Sequence, residues 1–465
     1  MTNILLNKKI AALKHIKTAG TASSHMVDDE KASPKQSQWR FRRKAKYALA
    51  IAVAAILLIS FSAAVYRYSS NSECSRWLGV DFSPSSHQSS AGLVVSGQPV
   101  NSSVWLGVAS NAWSYFQPGV GVDSNTGLPY ASGTNFEAFT AWDLGVYIQA
   151  ILDAQKLGLV SSEGTWGSSA RLEKVMSFLE NRPLNATTGF PFWYYEASTG
   201  QDYHPLSDKA KGVVDGADTG RLFLALSNLR TYNSSLAPMI DNIVYNQSDY
   251  AALLPSVEDD ATSGNVYSYY IDSGYGSFWP QQVGNIPSEV INNIVGLQKV
   301  TTFGVSLPDA AITTEPLLCA IFELNSSNTE LNGLMQQVYL AHEAYFNDTG
   351  KYVAFSEGNS FTSQYLYEWV VAPGGQPWKI TSTSSNLYLN MNPIIYTKVT
   401  FSFLALYNST FAQNLVVYLQ NMLPNPTSKG YCDGANSNGQ TIPGTGCNTN
   451  GLILDAALYA TRSVS

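Results

Sequence analysis

The chain has 465 residues, enough for one large domain or two to three ordinary ones, and its apolar fraction of 45% supports a sizeable core. The net charge of −7 divides unevenly. Residues 1–46 carry 11 basic and 3 acidic side chains, a charge of +8, and the remainder carries 16 and 31, a charge of −15. This acidic C-terminal part argues against nucleic acid or anionic lipid as its partner.

The first predicted element is an uncharged apolar stretch at residues 47–66. At about 1.5 Å rise per residue it spans roughly 30 Å, the thickness of the apolar core of a bilayer. Five Lys and Arg residues lie immediately before it, at positions 40–46. By the positive-inside rule they place the N-terminus in the cytoplasm and the C-terminal part outside. A cleaved signal peptide is the alternative, which the 46-residue leader disfavours.

We therefore predict four regions in a single-pass protein of the cell membrane. They are a basic cytoplasmic tail (1–46), a transmembrane helix in contact with the lipid bilayer (47–66), a stalk rich in Ser and Gly (67–103) and an extracellular domain (104–465).

Cysteine and asparagine patterns fit an external domain. Cys432 and Cys447 bracket a loop rich in Gly and Asn, and a disulfide closing about 15 residues there could add roughly 3 kcal/mol. The same loop lacks the ligand positions of a calcium loop, and no Cys/His cluster predicts zinc, so we predict no metal and no cofactor. Seven Asn-x-Ser/Thr sequons are candidate glycosylation sites: Asn101, Asn185, Asn233, Asn246, Asn325, Asn347 and Asn408.

From residue 104 onward, helix-like apolar runs alternate with long loops. Alternating, strand-like patterns are confined to residues 266–271 and 353–355, and no helical repeat of fixed period indicates a solenoid. We predict an all-α fold of about ten to twelve helices that pair and close into an (α/α) barrel, or toroid, with short β elements in its loops. The clearest helical runs are 136–159, 170–179, 219–229, 316–324, 331–346, 396–407, 411–423 and 450–462.

Carboxylates at the starts of these runs are the candidate catalytic groups. Asp218 precedes the run 219–229 and Glu315 precedes Pro316. Capping and stabilisation of the helix dipole explain both positions as well as catalysis does. Glu357 lies in a loop next to aromatic residues, where no helix start accounts for it. Asp433 follows Cys432, where a role in a turn is the simpler interpretation.

Tyr and Trp are abundant, with 27 and 10 residues. Their flat, amphipathic rings suit sugar binding, although core packing is the alternative for each one. Two further acids, Asp143 and Glu368, adjoin Trp residues and could orient them. The candidate substrate-binding residues are Trp142, Asp143, Trp193, Tyr194, Tyr275, Trp279 and Glu368.

Seven segments, in order, resemble the bacterial and archaeal family called domain of unknown function 3131. They run from about residue 105 to 463 and include TAWDLGVYIQAILDAQKLGLV, VVDGADTGRLFLALSNLR, TTEPLLCAIFEL and GYCDGANSNGQTIPGTGCNTNGLILDAALYATR. The resemblance implies an (α/α) barrel like those of glycoside hydrolase and glucoamylase-like families, and by analogy a carbohydrate-active role. The segment 250–309 departs from the family pattern and is interpreted as an insertion or a lid, and the Cys432–Cys447 pair as a local addition.

The first functional hypothesis is a membrane-anchored glycoside hydrolase acting on polysaccharide or glycan of the envelope or the extracellular space. Hydrolysis needs a protonated carboxyl and an ionised carboxylate. Glu357 is the predicted acid and either Glu315 or Asp218 the base, with exchanged roles as an alternative. A separation of roughly 6.5–9.5 Å would indicate inversion and about 5 Å retention.

The second hypothesis is a non-catalytic glycan-binding or structural envelope protein on the same scaffold. A peptidase is disfavoured because neither a catalytic-triad signature nor a zinc motif is present in the sequence. The sequence leaves the oligomeric state open.

Overall fold

The computed structural model describes residues 92–133, 136–203, 214–361, 364–383, 385–423 and 428–463. The predicted cytoplasmic tail, transmembrane helix and most of the stalk lie outside these residues. In the described ranges, no helix is both long and apolar enough to cross a bilayer. Residues 92–103, at the end of the predicted stalk, pack on the helical domain. Val94 is buried there, and its backbone N–H and C=O both bond the Gln420 side chain.

Six helices stand side by side in an inner ring. They are α2 (Ala141–Lys156), α4 (Gly216–Tyr232), α7 (Val266–Gly276), α10 (Glu315–Phe322), α12 (Thr397–Tyr407) and α14 (Cys447–Ser463). Helix α2 packs on α4, α4 on α7, α7 on α10, α12 on α14, and α14 returns to α2. An ion pair between Glu315 and Lys398 joins α10 to α12. Because neighbours surround these helices, they are apolar on almost every side, and in α2 all residues from Trp142 to Ala154 are buried.

Six further helices form an outer ring that alternates with the inner one along the chain. They are α1 (Ser102–Trp113), α3 (Ser168–Asn181), α5 (Ala237–Tyr245), α9 (Ile286–Gly296), α11 (Thr329–Thr349) and α13 (Thr410–Met422). Each buries one face only. In α13, Leu415, Val416 and Leu419 recur at the three- and four-residue spacing of an amphipathic helix. Two short helices, α6 (Leu254–Asp260) and α8 (Pro280–Val283), lie in connections. The predicted (α/α) barrel is confirmed.

Glycines allow the inner helices to approach each other closely. A Cβ atom on Gly274 of α7 would overlap the carbonyl of Gly220 in α4, and one on Gly220 would meet the backbone of Ile271. A Cβ on Gly451 of α14 would likewise overlap Val146 of α2. Such contacts, with backbone at Gly220 and Gly274 and with the Val146 side chain at Gly451, leave no room for a Cβ atom. They explain glycines inside helices, where glycine is otherwise unfavourable.

Short strands occupy the connections. Strand β1 (Ala138–Thr140) pairs with β2 (Tyr194–Glu196), and β3 (Lys299–Thr302) pairs with β4 (Val305–Pro308). A four-stranded antiparallel sheet follows, in the order β5 (Glu357–Asn359), β6 (Tyr365–Ala372), β7 (Gln376–Ser382) and β8 (Ser385–Tyr388). Strands β9 (Ile394–Tyr396), β10 (Gly434–Asn436) and β11 (Thr441–Ile442) form a third small sheet.

One interpretation of the sequence is wrong in the segment 250–309. Residues 266–271 begin α7 instead of forming a strand, because an inner helix is apolar on all sides and its buried Tyr and Val residues also satisfy an alternating pattern. The segment supplies α7 to the inner ring and α9 to the outer ring, and its interpretation as an insertion or a lid stays a prediction. The other predicted strand, 353–355, is reduced to a single bridge between Ala354 and Ile395.

The predicted disulfide is also wrong, because Cys432 and Cys447 are not bonded to each other. Cys447 begins α14, and its buried thiol lies 3.6 Å from the carbonyl oxygen of Asp143. The Cys432 carbonyl accepts a hydrogen bond from the Thr397 hydroxyl. The hairpin of β10 and β11 closes the intervening loop without a covalent link.

All seven sequon asparagines are at least partly exposed. Some of them have a local structural role: Asn101 and Asn233 accept N-cap hydrogen bonds, and Asn408 ends α12 in the left-handed conformation that favours Asn. Glycosylation stays a prediction.

Candidate functional site

The first turns of the six inner helices meet at one end of the barrel. Side-chain contacts and charge interactions connect these turns to one another and to Glu357 of the neighbouring sheet. Helix N-termini carry partial positive charge, so six of them together favour carboxylates at this end. Each helix contributes one polar side chain: Asp143, Asp218, Tyr267, Glu315, Lys398 and Asn448.

Glu315 is the most enclosed of these groups, with no exposed surface. It begins α10 and is followed by Pro316, a residue suited to the first helical turn. Its carboxylate accepts bonds from Lys398 Nζ, Asn448 Nδ2 and Ser356 Oγ, the last at 3.1 Å. The ammonium group and the two neutral donors engage both carboxylate oxygens and leave Glu315 little capacity to reach a water molecule or a sugar.

Glu357 lies opposite, at the start of β5, and pairs in register with Tyr367 of β6. The next residue is a glycine for a steric reason: a Cβ on Gly358 would meet the ring of Tyr396 at 2.7 Å, and the φ of Gly358 is +155°. The tyrosine ring therefore fixes the path of the chain immediately after the acid. Glu357 itself is 5% exposed.

The surroundings of Glu357 favour its protonated form. Burial, followed by the negative charge of Glu315, raises the pKa of Glu357 to about 7. Lys398 and the hydroxyls of Tyr267 and Tyr365 act in the opposite direction by stabilising the anion. A carboxyl that titrates near neutrality suits a general acid.

Asp218 is free of the capping role that its position suggested. Asp215 is the N-cap of α4, and its side chain accepts from the backbone N–H groups of Ala217 at 2.9 Å and Asp218 at 3.2 Å. The half-buried Asp218 carboxylate instead faces other acids. Burial raises its pKa well above the usual value, and the charges of Asp215, Asp143 and Glu357 add to that rise. Asp218 and Glu357 are thus close enough for their charges to interact.

Asp143 and Trp142 lie on the adjacent first turn of α2. Asp143 forms a capping box with Thr140, and burial raises the pKa of Asp143 to about 6. The Trp142 ring packs on the Arg221 guanidinium, 4.6 Å from the ring centroid. Its Nε1–H has no hydrogen-bond partner among the described residues, whereas the Tyr267 hydroxyl is engaged with Glu357, whose anion it stabilises. One buried donor, Trp142 Nε1–H, therefore remains available for a ligand.

Trp193 and Tyr194 border the acidic end on the side of Asp218. Both are half-buried, and their ring centroids are 4.9 Å apart. Trp193 lines a cavity together with Asp215 and Asp218. Burial, and next the charge of Asp218, raise the pKa of the Tyr194 hydroxyl. The structure thus brings these two aromatic candidates to the acids.

Three other candidates lie elsewhere. Tyr275 and Trp279 pack around Phe223 in the core, at centroid distances of 5.2 and 5.4 Å. Glu368 is fully buried on the core side of β6, where it accepts from the Ile394 N–H at 2.8 Å. Burial leaves these three residues no surface on which to bind a substrate. Asp433 accepts from Thr449 and Asn359 side chains, in line with a structural role.

Several residues of the site were missed in the sequence. Lys398 and Asn448 bond to Glu315 across separations of 83 and 133 residues, which no local pattern reveals. One feature of the sequence could have indicated Lys398: it is the only charged residue in the apolar run 396–407. Tyr267 was hidden by the wrong assignment of residues 266–271 to a strand.

In the part of the chain that the structure describes, no group of three or more His, Cys, Asp or Glu side chains could hold a metal ion. The acidic end offers carboxylates, hydroxyls and one ammonium, a set suited to proton transfer and to binding of hydroxyl-rich ligands.

Two helical rings with acids at the N-terminal end of the inner one define an (α/α)-barrel protein with one acidic end. The chain belongs to the family described as "Protein of unknown function (DUF3131)", whose sequence profile matches residues 107–268 and 289–463. The resemblance seen in the sequence is thereby confirmed. No curated protein matches the chain in sequence.

Solved structures share the fold at low sequence identity. An endo-β-1,2-glucanase from Chitinophaga pinensis, in complex with sophorotriose and glucose, has a TM-score of 0.57 and 14% identity over 79% of this chain and 94% of its own. A putative glucoamylase from Bacteroides caccae has a TM-score of 0.56 and 16% identity over 78% and 94%. A D-mannose isomerase has a TM-score of 0.51 and 11% identity over 79% and 100%. The structural similarity establishes the fold, whereas any conclusion about the chemistry has to come from the residues of the site.

Proposed function

We propose that this protein is a glycoside hydrolase in which Glu357 is the general acid and Asp218 the general base. The observation that carries the proposal is the pair itself: a buried carboxyl that titrates near neutrality interacts with a more accessible carboxylate across the acidic end of the barrel. Enzymes that cleave glycosidic bonds use such a pair.

The surroundings of the two carboxyls determine which one acts as the acid and which as the base. Glu357, enclosed and close to Glu315, keeps a proton at neutral pH and donates it to the leaving oxygen. Burial and the neighbouring acids raise the pKa of Asp218 as well, so the two carboxyls repel each other's charge and Asp218 ionises while Glu357 holds the proton. The dipole of α4 favours the anion on Asp218, and partial exposure gives water access to it. Asp218 therefore activates the attacking water. Glu315 and Lys398 hold each other in place and set the charge around Glu357.

A glycan is the substrate that these surroundings favour. Trp193 and Tyr194 offer flat rings beside Asp218, and Trp142 Nε1–H is an unpaired donor for a sugar hydroxyl. Two of the similar folds are named for glucan-degrading activities, so β-1,2-glucan and α-glucans are the first substrates to test. If residues 47–66 span the membrane as proposed, the enzyme acts on envelope or extracellular glycan.

The test is release of reducing sugar from a polysaccharide panel by the full chain. We expect Glu357→Gln and Asp218→Asn each to lower kcat by about 100-fold or more. The matched control is Glu368→Gln, another buried carboxyl of the same sheet, on its core side, which should retain activity. The proposal fails if the purified protein hydrolyses no glycan in the panel or if both site variants remain fully active. Glycan binding without turnover would favour a non-catalytic glycan-binding protein.

A further inference from the structure

One face of strand β6 is aromatic and accessible. Tyr365, Tyr367 and Trp369 are half-buried, whereas the residues between them are fully buried against the core. This alternation follows from the two-residue period of a strand, which sends successive side chains to opposite faces of the sheet. The accessible face continues onto β7 and β8 through the cross-strand pairs Trp369 with Lys379 and Thr381 with Tyr388. We call these six residues (Tyr365, Tyr367, Trp369, Lys379, Thr381 and Tyr388) the aromatic face.

The aromatic face begins at the catalytic acid. Glu357 pairs in register with Tyr367, and the Tyr365 hydroxyl stabilises the Glu357 anion. The ring of Tyr367 also lies edge to face with that of Tyr267, at 6.3 Å. The Tyr267 hydroxyl, which stabilises the Glu357 anion, thus lies where the face meets the acids.

The face then extends away from Glu357. Trp369 stacks on Tyr367 at 5.5 Å with an interplanar angle of 20°, and its indole N–H donates to Thr381 at 3.1 Å. Farther out, Tyr388 is 47% exposed with the Lys379 ammonium 5.7 Å from its ring centroid. From Tyr365 to Trp369 the strand covers about 13 Å, which exceeds the width of a single sugar ring.

The chemistry of this surface selects its ligand. Rigid rings with polar edges bind hydroxyl-rich molecules that also present apolar C–H surfaces. Glu357 is protonated at neutral pH and Glu315 is paired with Lys398, so Asp218 is the ionised acid at one end, and its charge disfavours a chain of uronates or phosphates. A neutral sugar chain meets both conditions.

We infer that the aromatic face binds the sugar residues of a neutral glycan chain on one side of the bond at Glu357, so that the substrate is an oligomer or polymer and not a disaccharide. This inference rests on the proposed function for the position of the cleaved bond. Binding along the face requires only that a glycan enters the cleft.

The experiment measures binding by calorimetry in the full chain carrying Glu357→Gln, which prevents cleavage. The probes are gluco-oligosaccharides of two to six units with β-1,2, β-1,3, β-1,4 and α-1,4 linkages. We expect affinity to rise with length in at least one series. Trp369→Ala should then lower the affinity for the longest member about tenfold and leave the disaccharide unchanged. Tyr388→Ala should act in the same direction and, being nearly half exposed, should cost the fold little.

The control is Tyr232→Ala, which removes an exposed tyrosine at the C-terminal end of α4 and should change no affinity. Thermal unfolding identifies a variant that has lost its fold, in which case Tyr388→Ala decides. Three results overturn the inference. The affinity does not depend on glycan length, or it is the same in Trp369→Ala and Tyr388→Ala as in the parent Glu357→Gln protein, or no binding is detected for any series.

The two proposals fail separately. If the wild type hydrolyses long glycans and Trp369→Ala and Tyr388→Ala both leave KM unchanged at every length, the aromatic face is no binding site although the proposed activity stands. If length-dependent binding is lost in Trp369→Ala while the wild type hydrolyses nothing, the binding face stands and the proposed hydrolase activity falls.

Discussion

Glu315 and Glu357 are both buried at the acidic end, but their neighbours differ. Glu315 is paired with Lys398 and receives two further hydrogen bonds, so its proton-accepting capacity is already engaged. Burial and the charge of Glu315 raise the pKa of Glu357, and the hydroxyls of Tyr267 and Tyr365 partly offset that rise. No neighbour holds Glu357 permanently as an anion. This contrast assigns proton transfer to Glu357 and positioning to Glu315.

Glu315→Gln should therefore alter the pH profile without abolishing catalysis. Removal of the Glu315 charge leaves Lys398 unopposed beside Glu357, and both changes lower the pKa of Glu357 from about 7. A general acid works only while protonated, so the alkaline limb of kcat/KM should move to lower pH. The free energy of unfolding, measured in urea, should also fall by about 3 kcal/mol, because the substitution leaves the buried Lys398 ammonium without its ion-pair partner.

Glu323→Gln is the matched control for that loss of stability. Glu323 forms a buried ion pair with Arg221 inside the barrel, and it is not among the charges that shift the pKa of Glu357. We expect a similar destabilisation with an unchanged pH profile. A Glu315→Gln protein that loses activity at every pH while remaining folded would make Glu315 itself the base and contradict this account.

Sequence reasoning reached some of these residues and not others. Glu357 was identified because no helix start explained it, and Asp218 because it preceded an apolar run. The sequence could not decide whether Asp218 caps its helix, since only the structure shows Asp215 in that role. Lys398 is conspicuous as the only charge in its apolar run, but its pairing could not be predicted, because Glu315 is 83 residues away and becomes its neighbour only when the barrel closes.

At the scale of elements, contact between inner helices depends on glycine. Gly220 and Gly274 bring α4 and α7 so close that backbone touches backbone. These two helices carry Asp218 and Tyr267 in their first turns, so their spacing also sets the width of the acidic end.

Gly274→Ala should force α4 and α7 apart. The added Cβ would overlap the Gly220 carbonyl, which is backbone and cannot rotate away. We expect a loss of about 3 kcal/mol in the free energy of unfolding, at the upper end of the cost of overpacking. Urea unfolding followed by circular dichroism measures it.

Gly333→Ala in the outer helix α11 is the comparison. No atom lies within 4 Å of the position of its Cβ, and its helical backbone suits alanine. The substitution should stabilise the protein by about 0.5–1 kcal/mol. Equal effects of the two substitutions would show that helix propensity and not helix contact governs Gly274.

Element prediction succeeded where a helix has one polar face or is long. The runs 331–346 and 411–423 correspond to the outer helices α11 and α13, whose apolar residues recur at the helical spacing. It failed for α7, because the buried Tyr and Val residues of this short helix also satisfy an alternating pattern, whereas the apolar runs of the other inner helices were recognised as helices. The sequence predicted only short β elements where the structure has the four-stranded sheet that carries Glu357. Strand formation depends on packing against neighbouring strands, which local sequence propensity does not reveal.

At the scale of the whole molecule, the barrel brings charged and polar residues that are far apart in the sequence together at one end. Alternation of inner and outer helices returns the chain to the same end six times, and a polar first-turn residue arrives there each time. The fold itself was predictable from periodicity and from the family resemblance. The meeting of Asp218 and Glu357 was not, because it depends on closure of a ring by α14 against α2.

The central claim is that Glu357 donates the proton to the leaving oxygen, and its most direct test compares leaving groups. Glu357→Gln would be assayed on an unactivated glycoside of the sugar released from the panel and on the dinitrophenyl glycoside of the same sugar. A poor leaving group needs the proton, so kcat should fall by about 100-fold or more for the first substrate. It should fall far less for the second, whose leaving group departs as a stable anion. An equal loss on both substrates, or no loss on either, would contradict the account.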